Sequence, residues 1–530
     1  MVHDHFPADI HASKTVAELG RLLSREQQSK GQIIYLQSQP VTYRNDTDRE
    51  LNFRQESNFY YLTGCDIPAS ALLVLIPPPK KGEAFGRSVQ STLLIPEEDP
   101  LEIIWSPPPP TIEQAKTTHP AMSSVQYTRA LPKLISLFIK NYPDALIQTL
   151  PVEKAFPPPL ESFLSIATKN RTSEFLLSAL HRARLTKTPH EISLIRKANA
   201  VSSRAHELIM RMLGEHAHDD IVGNLPDGKL VMPNKWRIEK EAEAEAAFVA
   251  SCRREGSLHQ AYLPIVAGAE RAATLHYCCN DKDFAWGPVT GTNGRHHGLH
   301  RENGTHAIGP GSRLAPQVLL LDAGCEWKNY ASDITRTIPV GNGGKFTEAA
   351  KEIYSLVLKM QNDAIAMLKP GVHWDRIHYQ CHVTLVKSSL NWTAKSASAS
   401  ALMLSFFPHG LGHSIGLDVH DVPSASKPIN NDTIPADSNK HPNFYAYLRL
   451  RLPLQAGMVL TVEPGVYFSP YLLAPHRNSP YINTEVLNTY ETVGGVRIED
   501  VLVITETGFE NLTAVDKDID WIEAVCGGHK

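Results

Sequence analysis

Three histidines lie close together in the stretch FFPHGLGHSIGLDVHDV, which runs from Phe406 to Val422. They are His409, His413 and His420, and glycines and small apolar residues surround them. An imidazole titrates near neutral pH and is a common metal ligand. Three imidazoles in a run that otherwise resembles a buried apolar segment therefore indicate a catalytic or metal-binding role. Each alone is more often a structural residue than a ligand, so the interpretation depends on other residues of the chain.

Four carboxylates occupy positions that are costly for an unpaired charge. Asp322 directly follows an apolar run, and Asp333 begins the next predicted strand. Glu463 ends the run MVLTVE, and Glu499 lies within GGVRIEDVLVIT. Glu499 also has a structural alternative, an ion pair with Arg497 on the same face of one strand.

A turn at Trp327 and Lys328 would place Asp322 and Asp333 opposite each other across an antiparallel pair, with Cβ atoms about 4.5–5.5 Å apart. Two carboxylates at that distance repel each other, and a divalent cation removes the conflict. Either aspartate alone is better explained as a turn or cap residue. Together with the two glutamates and the histidines, they favour a metal site.

Two aspartates, two glutamates and one histidine form an oxygen-rich donor set, which suits manganese or another hard divalent ion better than a thiolate-binding metal. Five such ligands are enough for two ions that share bridging carboxylates and stand roughly 3.5–4 Å apart. Such ions lower the pKa of a bound water and supply a nucleophile near neutral pH. The residues therefore predict a two-metal hydrolytic centre, with the other histidines supporting the ligands or facing the substrate.

The elements that must position these residues are strands and helices in mixed order. A long helix is predicted from Pro189, with Thr188 as its cap, a second from Thr347 and a third near Trp374. Strands are predicted at 318–324, 332–340, 457–468 and 495–505. Short links between strands favour an α+β fold over a purely parallel sheet.

The chain has 530 residues, too many for one hydrophobic core, so two or more domains are expected. We predict domains at 1–180 and 181–530, because three proline clusters occur only in the first part. A net charge of −4 gives no indication of a nucleic-acid partner, and no apolar run is long enough to span a membrane. Polar stretches at about 280–313 and 423–443 are predicted surface insertions. The first contains His296, His297 and His300, which we interpret as part of a solvated loop.

Seven cysteines are scattered along the chain without a CxxC pair, which is typical of free thiols in a reducing compartment. No secretory signal is visible at the start of the sequence. We therefore expect a cytoplasmic protein.

Four motifs, DAGCEWKNYASDITRT, HGLGHSIGLDVHD, TVEPGVYF and GGVRIED, resemble in this order the signatures of the aminopeptidase P and prolidase group of Xaa-Pro peptidases. The stretch NFRQESNFYYLTG resembles part of the N-terminal domain of that group. The resemblance implies an α+β pita-bread catalytic domain preceded by a smaller mixed α/β domain.

The resemblance also implies a role for individual positions. The five metal ligands fall on Asp322, Asp333, His413, Glu463 and Glu499. The catalytic and substrate-facing positions fall on His276, His409, His420 and Glu463, where Glu463 shuttles a proton. Arg497 and Tyr467 match residues beside the site, and Arg449 matches an arginine that holds the substrate carboxylate in prolidases.

The implied activity is manganese-dependent hydrolysis of the bond before proline, with two Mn²⁺ per chain and Co²⁺ or Zn²⁺ as substitutes. We expect release of the first residue from peptides with proline at position two, as in fungal-type Xaa-Pro aminopeptidases, by a homodimer. The alternative function of a prolidase restricted to dipeptides also stays open, because Arg449 matches the arginine that holds the substrate carboxylate in prolidases. A non-catalytic peptide-binding homologue would lack ligands, and a methionine aminopeptidase would lack the large N-terminal domain.

Overall fold

The computed structural model describes residues 5–166, 169–218, 232, 236–287, 313–388, 400–428, 434–435, 438 and 442–529. The chain divides into two compact units: Met1–His190 with Val422–Ala425, and Glu191–Asp421 with Ser426–Lys530. His296, His297 and His300 of the first predicted insertion lie outside the described residues, as do residues 429–433, 436–437 and 439–441 of the second.

The first unit is built around one mixed sheet. Its strands are β1 Gln32–Gln37, β2 Ala71–Ile76, β3 Gln90–Ile95, β4 Ser124–Tyr127, β5 Leu146–Gln148 and β6 Arg171–Thr172. They form a sheet in the order β4-β3-β2-β1-β5-β6, in which β2 is antiparallel to β1 and β3 and the other pairings are parallel. Its helices are α1 Ala8–Leu22, α2 Arg25–Gln28, α3 Ser57–Thr63, α4 Ile112–Thr118, α5 Leu131–Asn141, α6 Glu161–Leu164 and α7 Leu176–Leu185.

The core of this unit lies between the sheet and α5. Ile33 and Tyr35 lie two residues apart on β1, so their side chains share one face of the strand. They pack in one buried cluster with Leu131, Ile135 and Phe138 of α5.

The second unit carries the predicted chemistry. Its helices are α8 Pro189–Glu215, α9 Glu241–Arg254, α10 Glu348–Ile365, α11 Trp374–Ser388, α12 Ser400–Met403, α13 Pro470–Leu473, α14 Thr484–Glu491 and α15 Ile519–Cys526. Its strands are β7 Ile265–Gly268, β8 Trp286–Gly287, β9 Arg313–Leu314, β10 Gln317–Asp322, β11 Glu326–Trp327, β12 Tyr330–Ala331, β13 Thr335–Val340, β14 Val459–Val462, β15 Gly465–Tyr467, β16 Gly495–Arg497, β17 Asp500–Ile504 and β18 Phe509–Asn511.

Antiparallel pairing dominates the strands of the second unit. Two three-stranded sheets have the orders β13-β10-β7 and β14-β17-β18, and three hairpin-like pairs are β11-β12, β15-β16 and β8-β9. The predicted α+β arrangement is therefore confirmed for this unit.

The predicted helix starts are also confirmed. α8 begins at Pro189 and α11 at Trp374. Thr347 caps α10, because its side chain accepts a hydrogen bond from the backbone N–H of Ala350 at 3.2 Å. None of the helices in the described part of the chain is long and apolar enough to cross a membrane.

The hairpin that carries both predicted aspartates turns one residue later than predicted. Trp327 pairs with Tyr330, so the loop consists of Lys328 and Asn329 rather than Trp327 and Lys328. Both loop residues have positive φ, 48° and 64°. This is the geometry of a two-residue hairpin loop that follows the twist of its strands, and asparagine tolerates it well.

Candidate metal centre

Two aspartates lie on either side of one tyrosine hydroxyl. Asp322 ends β10, and Asp333 lies just before β13. The hydroxyl oxygen of Tyr262 is 2.5 Å from Asp322 Oδ1 and 2.6 Å from Asp333 Oδ1. Both aspartates are buried, at 7% and 5% exposure. The two carboxylates are close, as expected, but the prediction that they lie opposite each other is wrong, because the later turn pairs Asp322 with Thr335. The tyrosine between them had no counterpart in the sequence prediction.

Glu499 lies between β16 and β17 and is 1% exposed. Thr335 donates its hydroxyl to Glu499 Oε2 at 2.8 Å, whereas no donor among the described residues reaches Oε1. The structural alternative of an Arg497–Glu499 ion pair is wrong, because Arg497 Nη2 donates to Asp322 Oδ2 at 2.5 Å. β16 ends at Arg497, so the two residues do not share a continuous strand face.

His413 faces two of the carboxylates. Its Nε2 lies 3.4 Å from Asp333 Oδ2 and 3.5 Å from Glu463 Oε1. One ligand atom each from Asp333, His413 and Glu499 lies within 4.8 Å of the others. Nδ1 of His413 is 3.2 Å from the carbonyl oxygen of Ser414. Because a carbonyl only accepts, Nδ1 carries the proton and Nε2 presents its lone pair to the carboxylates.

Gly412 allows the backbone at His413 to lie directly against β14. The N–H of His413 donates to Thr461 Oγ1 at 3.1 Å, and the N–H of Thr461 donates to the His413 carbonyl at 3.0 Å. The N–H of Glu463 donates to the Leu411 carbonyl at 2.8 Å, so the same edge fixes Glu463. A Cβ on Gly412 would lie 2.1 Å from the Thr461 carbonyl oxygen. A residue with a side chain at position 412 would therefore force the two segments apart.

His409 belongs to a hydrogen-bonded chain with a determined direction. Its Nδ1 is 2.9 Å from the Gly410 carbonyl oxygen, and its Nε2 is 2.8 Å from the hydroxyl of Tyr467. Nδ1 must donate to the carbonyl, so Nε2 accepts from Tyr467. Arg497 Nη1 donates to the same hydroxyl oxygen at 3.0 Å. Arg497 therefore links Asp322 to His409, and both ring nitrogens of His409 are already used.

His276 and His420 differ from His409 in this respect. Both side chains are exposed in the cleft that contains the carboxylates, and no hydrogen bond joins either ring to another described residue. The ring of His420 stands edge-on to that of His413, with ring centroids 4.5 Å apart. These two imidazoles are available to a bound molecule.

The cleft has a volume of about 930 Å³, at the upper end of the range for ligand pockets. Ten of the eleven predicted site residues line it: His276, Asp322, Asp333, His409, His413, His420, Arg449, Glu463, Arg497 and Glu499. Tyr467 lies behind it, fully buried. Lys427 and the exposed side chains of Leu263 and Tyr447 also line it.

Arg449 is distinct from its neighbour Arg451. Arg451 pairs with buried Asp375 at 2.6 Å and lies over the ring of Tyr445. Arg449 is exposed in the cleft, and no described carboxylate pairs with it. Its guanidinium is therefore available for an anionic group in the cleft.

The electrostatics of the cluster are unfavourable without a cation. Burial, and then the neighbouring negative charges, raise the pKa of Asp333, Glu463 and Glu499 well above the ordinary carboxyl values. The largest neighbouring charge is Asp322 for Asp333, Glu499 for Glu463 and Asp333 for Glu499. Burial lowers the pKa of His413 to about 4, which keeps the imidazole neutral.

This donor set fits divalent cations. Four carboxylates and one neutral imidazole supply hard and borderline ligands, and no cysteine thiolate is among them. Glu499 Oε1 is buried without a donor in the described residues, as expected of an oxygen reserved for a metal. A cation would relieve the carboxylate repulsion that raises the three pKa values.

Comparison with known proteins places the chain in a family. Residues 193–506 match the model of metallopeptidase family M24, and residues 14–147 match that of the aminopeptidase P N-terminal domain. The chain is 34% identical to a probable Xaa-Pro aminopeptidase of Paracoccidioides brasiliensis over 98% of this chain and 97% of the relative. It is 35% identical to a probable Xaa-Pro aminopeptidase of Podospora anserina over 93% and 92% of the two chains.

A solved structure agrees with these matches. The proline aminopeptidase P II of Yersinia pestis superposes with a TM-score of 0.68 at 26% identity, covering 98% of this chain and 99% of the other. The chain belongs to metallopeptidase family M24. It has the two-domain aminopeptidase P architecture, with the expected pita-bread catalytic domain, and is a metal-dependent exopeptidase, a hydrolase that requires a divalent cation.

Proposed function

We propose that the protein is a manganese-dependent Xaa-Pro aminopeptidase that releases the first residue from peptides with proline at position two. The observation that carries the proposal is the convergence of four carboxylates and the neutral imidazole of His413 in one deep cleft. The names of the relatives from Paracoccidioides and Podospora support the substrate class. Manganese is proposed because the donor set is rich in oxygen.

Five residues would hold two cations: Asp322, Asp333, His413, Glu463 and Glu499. The cations would polarise the carbonyl before proline and activate a water for attack. Cobalt and zinc are proposed substitutes, because both also accept carboxylate and imidazole ligands.

The chain's own side chains have separate tasks in this proposal. His276 and His420 are placed to donate to the substrate carbonyl, because no described residue uses their ring nitrogens. His409, with both nitrogens engaged, holds Tyr467 and through it Arg497 in place.

Glu463 is the proposed proton carrier to the leaving nitrogen of proline. Its Oε2 lies 3.9 Å from His409 Nδ1, and its Oε1 lies 3.5 Å from His413 Nε2. A carboxylate in this position can accept a proton from the attacking water and pass it to the leaving nitrogen. The Xaa-Pro bond has no N–H of its own, so the site must recognise the bond by other groups.

The dipeptidase alternative depends on Arg449. Its unpaired guanidinium in the cleft is a suitable partner for the C-terminal carboxylate of a short peptide. The exposed apolar side chains of Leu263 and Tyr447 favour the longer-peptide alternative, because they offer contacts beyond a dipeptide.

A substrate panel tests the proposal. Purified protein, stripped with a chelator and reloaded with Mn²⁺, is offered Gly-Pro, Gly-Pro-Leu, a longer Arg-Pro-Pro peptide and a matched Gly-Ala-Leu. We expect Mn²⁺-dependent release of the first residue from the proline peptides alone. Cleavage of Gly-Pro only would show a prolidase. A preparation that binds no Mn²⁺, Co²⁺ or Zn²⁺ and ignores chelators would show a non-catalytic binding protein.

Three further expectations belong to this proposal. We propose a homodimer, which light scattering on the purified protein checks. We propose a cytoplasmic location, supported by seven cysteines that are all free thiols. We also propose the functional division at about residue 180, with catalysis confined to 181–530.

A further inference from the structure

Tyr262 makes a contact that the proposed chemistry does not yet use. Its hydroxyl oxygen lies within hydrogen-bond distance of two buried carboxylates, at 2.5 Å from Asp322 Oδ1 and 2.6 Å from Asp333 Oδ1. One hydroxyl has one proton to donate, so it either shares that proton between the two carboxylates or accepts a proton carried by one of them. In both cases the hydroxyl connects the two aspartates directly.

The backbone fixes Tyr262 in this position. The N–H of Ala261 donates to the Gly324 carbonyl at 2.8 Å, and Gln260 forms an antiparallel bridge with Cys325. Three residues after Tyr262, β7 begins at Ile265, which pairs with Asp322 in the sheet. The tyrosine thus lies on a segment that is hydrogen-bonded on both sides to the strand end carrying Asp322.

The other oxygens of these carboxylates are of two kinds, those that accept a hydrogen bond from a protein donor and those that do not. Arg497 donates to Asp322 Oδ2, and Thr335 donates to Glu499 Oε2. In contrast, no donor in the described part of the chain reaches Glu499 Oε1, and Asp333 Oδ2 faces His413. Some carboxylate oxygens are therefore held by protein donors, and others remain uncommitted.

We propose that Tyr262 is a positioning residue of the metal centre, whose hydroxyl holds Asp322 and Asp333 at a fixed separation before any cation binds. This inference rests on the proposed two-metal function. Preorganised ligands need less reorganisation when the cation arrives, so the hydroxyl contributes to metal affinity rather than to the chemical step.

The test removes only the hydroxyl. Tyr262→Phe keeps the ring, and Tyr354→Phe is the matched control, because Tyr354 donates from a buried position to the Lys517 carbonyl at 2.9 Å. Mn²⁺ affinity of the stripped full-length proteins is measured by competition with a fluorescent chelator. We expect about 10–100-fold weaker Mn²⁺ binding for Tyr262→Phe and unchanged binding for Tyr354→Phe. At saturating Mn²⁺, kcat of Tyr262→Phe should recover most of its value.

Several outcomes overturn the inference. Wild-type affinity in folded Tyr262→Phe would do so, as would an equal loss in Tyr354→Phe, or a loss of kcat that saturating Mn²⁺ does not restore. If Tyr262→Phe fails to fold, Tyr467→Phe supplies a second measurement, because it removes the other tyrosine hydroxyl beside the centre and keeps the Tyr262 contact with the proposed ligands. Adding Mn²⁺ to that stripped protein must change its tyrosine absorbance, and a flat difference spectrum contradicts the proposal. Failure of the two-metal function itself is distinguishable, since the wild type would then bind no cation.

Discussion

At the scale of single residues, the charge that makes Glu499 useful also makes it costly. The side chain is buried, its pKa is raised by burial and by Asp333, and only one of its oxygens has a donor among the described residues. Functional sites often hold such unfavourable groups, which the rest of the fold must offset. The cost should therefore be visible when no cation is present.

Glu499→Gln should raise the melting temperature of the chelator-treated protein, because one of several like charges in a buried cluster is removed. In excess Mn²⁺ the order should reverse, because the wild type gains about 3 kcal/mol from a cation at a hundred times its Kd and the variant does not. Melting curves with EDTA and with Mn²⁺ measure both effects. Glu510→Gln, on the exposed partner of Arg196, should change neither curve. A variant that still gains the full Mn²⁺ shift would exclude Glu499 as a ligand.

Arg449 provides a second prediction at this scale, concerning substrate length. If it binds the C-terminal carboxylate of short peptides, Arg449→Met should raise KM for Gly-Pro by about 10–100-fold, since a hydrogen bond to a charged group contributes about 1.5–3 kcal/mol. KM for a peptide of five or more residues should change little. Lys427→Met is the control, because Lys427 is another cation of the same cleft. Equal effects on short and long peptides would contradict this role.

At the scale of elements, the features that depend on local sequence patterns could be predicted, whereas contacts between residues distant in the sequence could not. Helix starts at Pro189 and Trp374 follow from caps and spacing, and both were predicted. The partner of Arg497 was not, because β16 ends at that residue and only the folded sheet shows which carboxylate it reaches. Tyr262 was missed because it lies 60 residues before Asp322, and a single tyrosine ahead of a strand carries no local signal.

The contact of the Gly412 segment with β14 is an element-scale feature that can be tested directly. Gly412→Ala would place a Cβ 2.1 Å from the Thr461 carbonyl oxygen, so the backbone at His413 must shift. We expect a loss of about 1–3 kcal/mol in unfolding free energy from this overpacking, together with weaker Mn²⁺ binding. Gly508→Ala is the matched control, since nothing lies within 4 Å of a Cβ there. Urea unfolding and Mn²⁺ titration measure the two effects, and normal behaviour of Gly412→Ala would show that the contact is unimportant.

Helix α11 contributes a dependence of stability on pH. Burial lowers the pKa of His378 to about 4, whereas the unfolded chain keeps the ordinary value of 6.5. Between these values the unfolded chain binds a proton that the folded protein does not, so stability falls as pH falls from about 6.5 to 4. The full effect is about 3 kcal/mol for this one residue.

His378→Gln should reduce that slope. The variant loses the hydrogen bond from the ring to the Phe444 carbonyl and should be less stable at pH 7, but the difference from wild type should shrink towards pH 4.5. Urea unfolding across this pH range measures the unfolding free energy of both proteins. Subtracting one from the other removes the contribution of titrating groups that both proteins share. Parallel curves for wild type and His378→Gln would contradict the assignment.

At the scale of the whole molecule, the predicted chemistry is concentrated in one of the two compact units. All eleven site residues belong to the second unit, whereas the six-stranded sheet with its apolar core belongs to the first. The sequence indicated this division because the three proline clusters occur only in the first part and the four catalytic motifs begin at Asp322. The family matches agree, with the M24 model on 193–506 and the aminopeptidase P N-terminal model on 14–147.

Because the site residues all belong to the second unit, adding metal should slow amide hydrogen exchange in that unit only. A cation at a hundred times its Kd stabilises the conformation that binds it by about 3 kcal/mol, and exchange through openings that release the cation should slow about 100-fold. Peptides from 318–340, 406–422, 457–468 and 495–505 should therefore be protected when Mn²⁺ is added to the stripped protein. Peptides from β1, β2 and β3 should exchange at the same rate with and without Mn²⁺. Protection confined to one of the four segments would mean that the five proposed ligands do not bind as one centre, because a shared cation must restrain every strand that supplies a ligand.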